Sequence, residues 1–231
     1  MAENGSTLAK IVPEFFYDLI ARILPGLVFA VLLLIAAAPE SLLFFRDLAV
    51  QNKLEGVPFA LLFLVLIAIA YILGILLGPL GARVRDLYLP RVWKACAGTA
   101  HEAFVVGYAT RRGLIGTAVE NPAVASLDRK ALKTLYRLLE DELKAKDPLG
   151  RVLLPKLHAE TVLCDHLCAA SLLVAALAGV LTLTGTRQPR TAWTVFVLFL
   201  FALAIFTGWT AKYRFWGLIQ RLLSLSIQIR P

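Results

Sequence analysis

The sequence predicts an all-α, polytopic membrane protein with four transmembrane helices in a 2 + 2 arrangement and a helical cytoplasmic insert. Four long apolar runs fall in two pairs, on either side of a central segment from Gly81 to His166. This segment has 86 residues and carries 14 Lys or Arg and 10 Asp or Glu. The runs are too long for the core helices of a soluble domain, because about 20 apolar residues are enough to cross a bilayer.

The first run lies in the N-terminal membrane part, residues 1–80, and is the shortest. Ile23 to Ala38 contains 16 uncharged residues, so a span placed near 23–42 needs further residues at one end. Either Leu19 to Arg22 joins the helix, or the helix continues past Pro39. Both solutions give the helix the roughly 20 residues that a span requires.

Two other interpretations of the first run stay open at the level of sequence. Proline is favoured in the first turn of a helix, so in one of them Pro25 opens the span and Phe15 to Arg22 forms a separate interfacial helix. In the other, the run is a secretory signal peptide with a small-residue cleavage site at Ala36 to Ala38. The spanning helix is the preferred interpretation.

The other three runs are each within the length of a spanning helix. Val57 to Leu80 provides 24 uncharged residues, and Leu167 to Thr184 provides 18 apolar or small residues. Thr191 to Ala211 provides 21 uncharged residues, with Trp193 and Trp209 near its two ends, where tryptophan favours the headgroup level. The predicted spans are therefore 57–80 and, within the C-terminal transmembrane pair 167–211, the segments 167–184 and 191–211.

The distribution of basic residues predicts the orientation. The two predicted outer loops contain only Arg46 and Lys53 in one and Arg187 and Arg190 in the other. The positive-inside rule therefore places both termini and the insert, residues 81–166, in the cytoplasm, as expected for a multi-pass protein of a plasma membrane. This orientation explains much of the net charge of +8, so the charge alone is weak support for nucleic-acid binding.

The cytoplasmic insert contains a helix with clear start and stop signals. It is predicted to run from Ser126 to Lys146, with Ser126 or Asp128 as its cap and Asp147 and Pro148 at its end. Leucines at spacings of three and four make one face apolar: Leu132, Leu135, Leu139 and Leu143. This face needs a partner, which is either another helix of the same domain or a neighbouring subunit.

Three further segments outside the spans have weaker signals. Arg83 to Tyr108 is expected to extend the second span, and Thr110 to Ala125 is expected to be a loop. The basic amphipathic tail, residues 212–231, either lies on the anionic inner leaflet as a helix or extends the fourth span. Its end, Leu225 to Arg230, alternates apolar and polar side chains and is extended in a further interpretation.

Basic residues around the loop form a candidate ligand site. Backbone amides at a helix N-terminus, with nearby Arg and Lys side chains, favour the binding of phosphate groups. The candidate ligands of a phosphate or oligonucleotide are Arg111, Arg112, Arg129, Lys130 and Lys133. The other interpretation is a solvated cationic face, because no Walker-type glycine pattern accompanies these charges.

Small residues repeat four apart in two of the spans, which lets helix backbones approach closely. They are Gly74 and Gly78 in the second span, and Ser171, Ala175 and Gly179 in the third. Such stripes pack helices either within one protomer or between protomers around a common axis. In an assembly, small and hydroxyl residues such as Thr182 and Thr184 would line a pore that apolar constrictions close by dewetting.

The chain lacks the patterns of transporters and enzymes. The second, third and fourth predicted spans contain no Asp, Glu, Lys, Arg or His, which disfavours ion-coupled transport. Cys164, Asp165, His166 and Cys168 are close in sequence, but their spacing matches no common zinc module, and we interpret them as a juxtamembrane helix end. We expect no catalytic residues, no metal and no cofactor.

The segment Phe16 to Gly26 reads FYDLIARILPG. Together with the 2 + 2 layout, it resembles small bacterial membrane proteins of anti-phage defence loci, in particular the membrane effectors of the Hailong system. The resemblance implies a homo-oligomeric ion channel, for which we expect a tetramer. It also implies gating by single-stranded DNA oligomers from a partner nucleotidyltransferase, and an opening that depolarises the cell and aborts infection.

Two functional hypotheses follow. The first is a cytoplasmically gated, oligomeric ion channel or membrane-disrupting effector that responds to a nucleotide or oligonucleotide signal. The second is a non-conducting membrane anchor or scaffold that recruits a soluble partner through residues 83–156. Both have membrane lipid as a partner. A ring-shaped oligomer favours the first hypothesis, because four spans without a polar interior do not form a pore alone, whereas a monomer or dimer favours the second.

Overall fold

The computed structural model describes residues 3–38, 59–115, 123–186 and 189–228. Over these ranges the chain is helical and contains no β-strand, which confirms the predicted all-α class. The helices are α1 (Glu3–Ala37), α2 (Phe59–Lys94), α3 (Ala100–Arg111), α4 (Arg129–Lys146), α5 (Pro148–Leu183) and α6 (Arg190–Gln228), with a 3-10 turn at Val124–Ser126.

Four of these helices are long and apolar enough to cross a membrane. The candidate spans are Leu19–Ala37, Phe63–Lys94, Gly150–Leu183 and Arg190–Gln228. Many of their outward side chains are large and apolar, and Leu76, Ile205 and Phe206 are each more than 60% exposed. Continuous apolar surface of this kind suits lipid and not water. The chain is therefore compatible with a multi-pass membrane protein.

Helix α1 decides whether Pro25 opens the first span. It is continuous from Glu3 to Ala37 with Pro25 inside it, so Leu19 to Arg22 joins the span and Pro25 does not open it. Proline inside a membrane helix is tolerated because neighbouring helices and small local adjustments satisfy the freed carbonyl. The predicted continuation past Pro39, up to residue 42, lies outside the described residues.

The helices belong to two compact units. We call the first the membrane unit, which comprises Asp18–Ala82 and Val162–Thr210. The second, the charged unit, comprises Met1–Tyr17, Arg83–Thr161 and Ala211–Pro231. Only five of the 24 Lys and Arg residues fall in the membrane unit. Helices α1, α2, α5 and α6 each contribute residues to both units without a break.

The membrane unit contains a close contact between α1 and α2. A Cβ placed on Gly26 would overlap the backbone of Ala70 and Gly74, and a Cβ on Gly74 would overlap the carbonyl of Arg22. Only glycine permits the two backbones to approach this closely. A separate apolar cluster joins α1 to α5 and α6 and consists of Ala36, Val174, Ala175, Ala178 and Leu200.

The charged unit is built around α4, whose predicted cap and apolar face are confirmed. Asp128 is the cap, and its carboxylate accepts a hydrogen bond of 2.6 Å from the amide of Ala131. The four predicted leucines are all buried. Beside them, Tyr136 lies on Phe215 of α6, with ring centroids 5.7 Å apart, and on His158 of α5. The partner of this face is therefore in the same chain.

The structure corrects the prediction for one segment and selects among the alternatives for another. The extension of the second span ends at Lys94 and does not reach Tyr108, because Gly98 adopts a positive φ of 73° and Thr99 caps the separate helix α3. Such a φ is rarely accessible to residues other than glycine, so it ends one helix before the next begins. The tail extends α6 as a helix to Gln228, which is one of the two helical alternatives, and its end is not extended over Leu225 to Gln228. Its apolar side chains are buried within the charged unit: Phe215, Leu218, Ile219, Leu222 and Leu223.

Replacing Asp128 with alanine is expected to lower the free energy of unfolding by about 1 kcal/mol, since the amide of Ala131 loses its acceptor. Thermal unfolding in detergent, followed by circular dichroism, measures this loss. Ser126→Ala is the matched control, because the hydroxyl of Ser126 donates to the carbonyl of Ala123 and does not cap α4. Equal losses in the two variants would contradict the assignment of Asp128 as the cap.

Candidate functional site

The five predicted phosphate ligands lie at two places in the charged unit. Arg111 and Arg112 follow one another at the end of α3, whereas Arg129, Lys130 and Lys133 lie in the first turns of α4. All five side chains are exposed. The loop residues that follow this pair in the sequence, 116–122, lie outside the described residues.

The two groups lie toward opposite ends of α4. The guanidinium of Arg112 is 3.8 Å from the carboxylate of Glu142. Glu142 is 13 positions after Arg129 on the same helix, which corresponds to about 20 Å of helix rise. A single phosphate group therefore does not touch both ends, whereas an oligonucleotide has the length to do so.

Arg112 belongs to a polar cluster that joins α3 to α4. Its guanidinium lies 5.4 Å from the ring centroid of Tyr108, in cation–π geometry. Glu142 accepts hydrogen bonds from the hydroxyl of Tyr108 at 2.9 Å and from Lys146 at 2.8 Å. Burial, followed by the carboxylate of Glu142, raises the pKa of Tyr108. Arg112 therefore has a structural role in addition to any contact with a ligand.

The N-terminal end of α4 carries the other three cations. The ammonium of Lys133 forms an ion pair of 2.7 Å with Asp86 of α2. The amide of Ala131, which a bound phosphate would use as a donor, already donates a hydrogen bond to the carboxylate of Asp128. Arg129 and Lys130 lie in the first turn and are exposed, so they are the members of this group best placed to meet an added anion.

The cysteine of the charged unit is not a nucleophile at neutral pH. Cys96 is buried, and burial, with a smaller contribution from the carboxylate of Glu102, raises the pKa of its thiol to about 11. A thiol reacts through its thiolate. Because this pKa lies well above neutrality, Cys96 behaves as a small apolar side chain of the core.

The predicted small residues divide into packed and open positions. Gly74 lies at the contact between α1 and α2, Ala175 belongs to the apolar cluster of the membrane unit, and Ser171 is fully buried. These three residues therefore pack helices within one protomer. By contrast, a Cβ on Gly78 or Gly179 would meet no atom within 4 Å, so both positions leave room for a neighbouring helix.

The predicted pore hydroxyls are bonded within their own helix. Thr182 donates to the carbonyl of Ala178 at 2.7 Å, and Thr184 donates to that of Val180 at 3.0 Å. Each hydroxyl still offers lone pairs to a cation or water. Thr182 is half-buried and Thr184 is exposed in the protomer, so both present these lone pairs at its surface.

The membrane unit also contains a buried polar layer that sequence reasoning interpreted as a helix end. Asp165 and His166 of α5 are buried, and the ring of His166 packs directly on the backbone of Gly81 in α2, where a Cβ would not fit. Thr207 is buried as well. In the sequence, this layer is visible only as the run from Cys164 to Cys168. The run does not show that these side chains are buried, because their burial depends on packing against α2 and α6.

Among the described residues, no three His, Cys, Asp or Glu side chains are arranged to hold a metal ion.

Comparison with known proteins finds no relative of this chain. No protein-family model, no curated protein and no solved structure matches the chain.

Proposed function

We propose that this chain is the protomer of a gated, oligomeric ion channel, or of an effector that disrupts a membrane, and that a nucleotide or oligonucleotide signal acts on its charged unit. The observation that carries the proposal is the continuity of α1, α2, α5 and α6 from the membrane unit into the charged unit. A ligand that changes the packing of the charged unit acts on the same helices that provide the four candidate spans. This is the connection that a ligand-operated gate requires.

The signal site of this proposal is the cationic surface at the start of α4. Arg129 and Lys130 are exposed there, and Lys133 beside them is held by Asp86. A phosphate that displaces Asp86 from Lys133 would release a contact between α4 and α2. A ligand shifts a conformational equilibrium only if it binds one conformation more tightly than the other. In this proposal the phosphate binds more tightly where Asp86 has left Lys133, so the exchange of anions favours that second conformation.

Conduction in this proposal requires several copies of the chain. Thr182, Thr207 and Thr210 donate their hydroxyls to carbonyls of their own helices, and the described part of each span otherwise presents mainly apolar side chains. A pore would therefore form between protomers, where Gly78 and Gly179 leave open space. The biological setting we propose is a bacterial inner membrane with both termini in the cytoplasm and an opening that aborts phage infection.

Potassium flux from liposomes that contain the purified chain tests the proposal. We expect flux that rises when short single-stranded DNA or a cyclic nucleotide is added on the side of the charged unit. The double variant R129Q/K130Q is expected to need roughly tenfold more ligand for half-maximal flux, since it removes two phosphate contacts. Lys144→Gln is the matched control, because Lys144 pairs with Glu140 far from this end of α4.

The absence of flux with every ligand, from protein shown to be folded and inserted, would overturn the channel proposal. It would favour the second candidate function, a non-conducting anchor that recruits a soluble partner through residues 83–156. One observation already favours that candidate: the charged unit has its own buried core, with Trp93, Leu135 and Phe215 each at most 1% exposed. Such a unit can serve as a docking platform without any pore.

A further inference from the structure

The charged unit contains a cleft of about 200 Å³ between α2 and α6. Two basic side chains, two aromatic rings and two small apolar side chains line it: Arg91, Lys212, Tyr213, Trp216, Val92 and Ala95. None of these residues belongs to the cationic surface on α4. The cleft is therefore separate from the proposed signal site.

The lining of the cleft defines the chemistry of its ligand. Arg91 and Lys212 are both exposed, so their charged groups are accessible to an anion from solvent or from a bilayer. A guanidinium and an ammonium together provide a forked donor and a point charge, the combination that suits a phosphoryl group. The rings of Tyr213 and Trp216, with Val92, provide an apolar wall beside these charges. The ligand is thus a phosphoryl group attached to an apolar or amphipathic remainder.

The position of the cleft along α6 indicates the source of that phosphoryl group. Lys212 is the first charged residue after the 21 uncharged residues from Thr191 to Ala211. Trp209 and Tyr213, one helical turn apart, are 57% and 59% exposed. Exposed Trp and Tyr at the end of an apolar run mark the headgroup level of a bilayer, and basic pockets between helices at that level bind anionic headgroups.

We propose that this cleft binds the headgroup of an anionic phospholipid. The phosphodiester lies between Arg91 and Lys212, and the glycerol and first acyl carbons lie against Tyr213 and Trp216. Zwitterionic phosphatidylcholine is disfavoured, because its choline brings a positive charge to a cleft that already holds two. Lipid binding at this cleft does not require conduction, so a failure of the channel proposal would not contradict it.

Binding of short-chain phosphatidylglycerol to the full-length chain in neutral detergent tests the assignment, with the change in tryptophan fluorescence as the readout. Because the chain has four tryptophans, the part of this change that is absent in Trp216→Phe is the signal of the cleft. We expect saturable binding that R91Q/K212Q weakens roughly tenfold or more, since each basic residue near an anionic headgroup contributes about a factor of five. The double variant R137Q/K156Q is the control. It removes the same charge from exposed positions elsewhere in the charged unit and is expected to bind within twofold of the unchanged chain.

Three outcomes would overturn the assignment. Equal weakening in the two double variants would show that only net charge attracts the lipid, and equal binding of phosphatidylcholine would show that the charges play no part. Displacement of the lipid by millimolar inorganic phosphate or adenosine monophosphate would assign the cleft to a soluble phosphate instead. Arg91 and Lys212 are exposed, so circular dichroism melting curves of R91Q/K212Q are expected to match those of the unchanged chain, which separates lost binding from lost folding.

Discussion

Replacing Gly74 with alanine is expected to destabilise the membrane unit by about 3 kcal/mol, a large effect for the addition of one methyl group. The added Cβ would overlap the carbonyl of Arg22, which is backbone and not the end of a flexible side chain. Helix α1 must therefore move away from α2. This movement also loosens the reciprocal contact, where Gly26 lies on the backbone of Ala70. Unfolding in detergent, followed by circular dichroism, measures the loss.

Gly78→Ala is the matched control, because it adds the same methyl group one helical turn further along α2. A Cβ there would meet no atom within 4 Å, so we expect no loss of stability and up to about 1 kcal/mol of gain, since alanine favours a helix more than glycine does. If Gly78→Ala also weakens the assembly of several copies without lowering protomer stability, this part of α2 packs between protomers, as the channel proposal requires. Equal destabilisation by the two variants would contradict the contact that we assign to Gly74.

Local signals in the sequence were sufficient for part of the fold. Helix α4 was predictable because its cap at Asp128, its leucine spacing and its stop at Pro148 all lie within about 20 residues. The lengths of the apolar runs were likewise sufficient for the four candidate spans. Helix α1 shows where local rules end, since Pro25 is a start signal by propensity and yet lies inside a helix. Packing on α2 through Gly26 overrides that propensity.

The candidate sites were less predictable, because their properties depend on residues far apart in the chain. The sequence shows that Lys133 and Arg112 are basic, but it does not show that Asp86 and Glu142 neutralise them. Asp86 is 47 positions from Lys133. The buried layer at Asp165 and the cleft between Arg91 and Lys212 likewise require helices from distant parts of the chain.

Replacing Phe215 with alanine is expected to cost about 3 to 5 kcal/mol in the charged unit, the usual range for truncation of a buried aromatic ring. The ring is 1% exposed. It lies edge-on to Tyr88 of α2, with centroids 5.8 Å apart, and 5.7 Å from Tyr136 of α4. Removing it leaves a cavity where three helices meet. It also removes the support of Tyr136, whose hydroxyl lies 3.1 Å from Nδ1 of His158.

Phe206→Ala is the matched control for Phe215→Ala, because it truncates the same side chain on the same helix. Phe206 is 62% exposed, so the truncation leaves no cavity and is expected to cost less than about 1 kcal/mol. Thermal unfolding in detergent compares the two variants, and limited proteolysis shows whether cleavage concentrates in residues 83–161. Similar losses in both variants would contradict the placement of Phe215 in the core of the charged unit.

Phe215→Ala also distinguishes the two candidate functions. Helix α6 continues from Phe215 back through the apolar run from Thr191 to Ala211, so in the channel proposal loosening the charged unit alters the segment that a gate would use. If the chain is a gated channel, Phe215→Ala in liposomes is expected to change the basal flux or the ligand concentration at half-maximal flux, whereas Phe206→Ala leaves both unchanged. If the chain is an anchor, neither variant conducts, and Phe215→Ala instead weakens recruitment of the soluble partner, because the docking surface depends on this core.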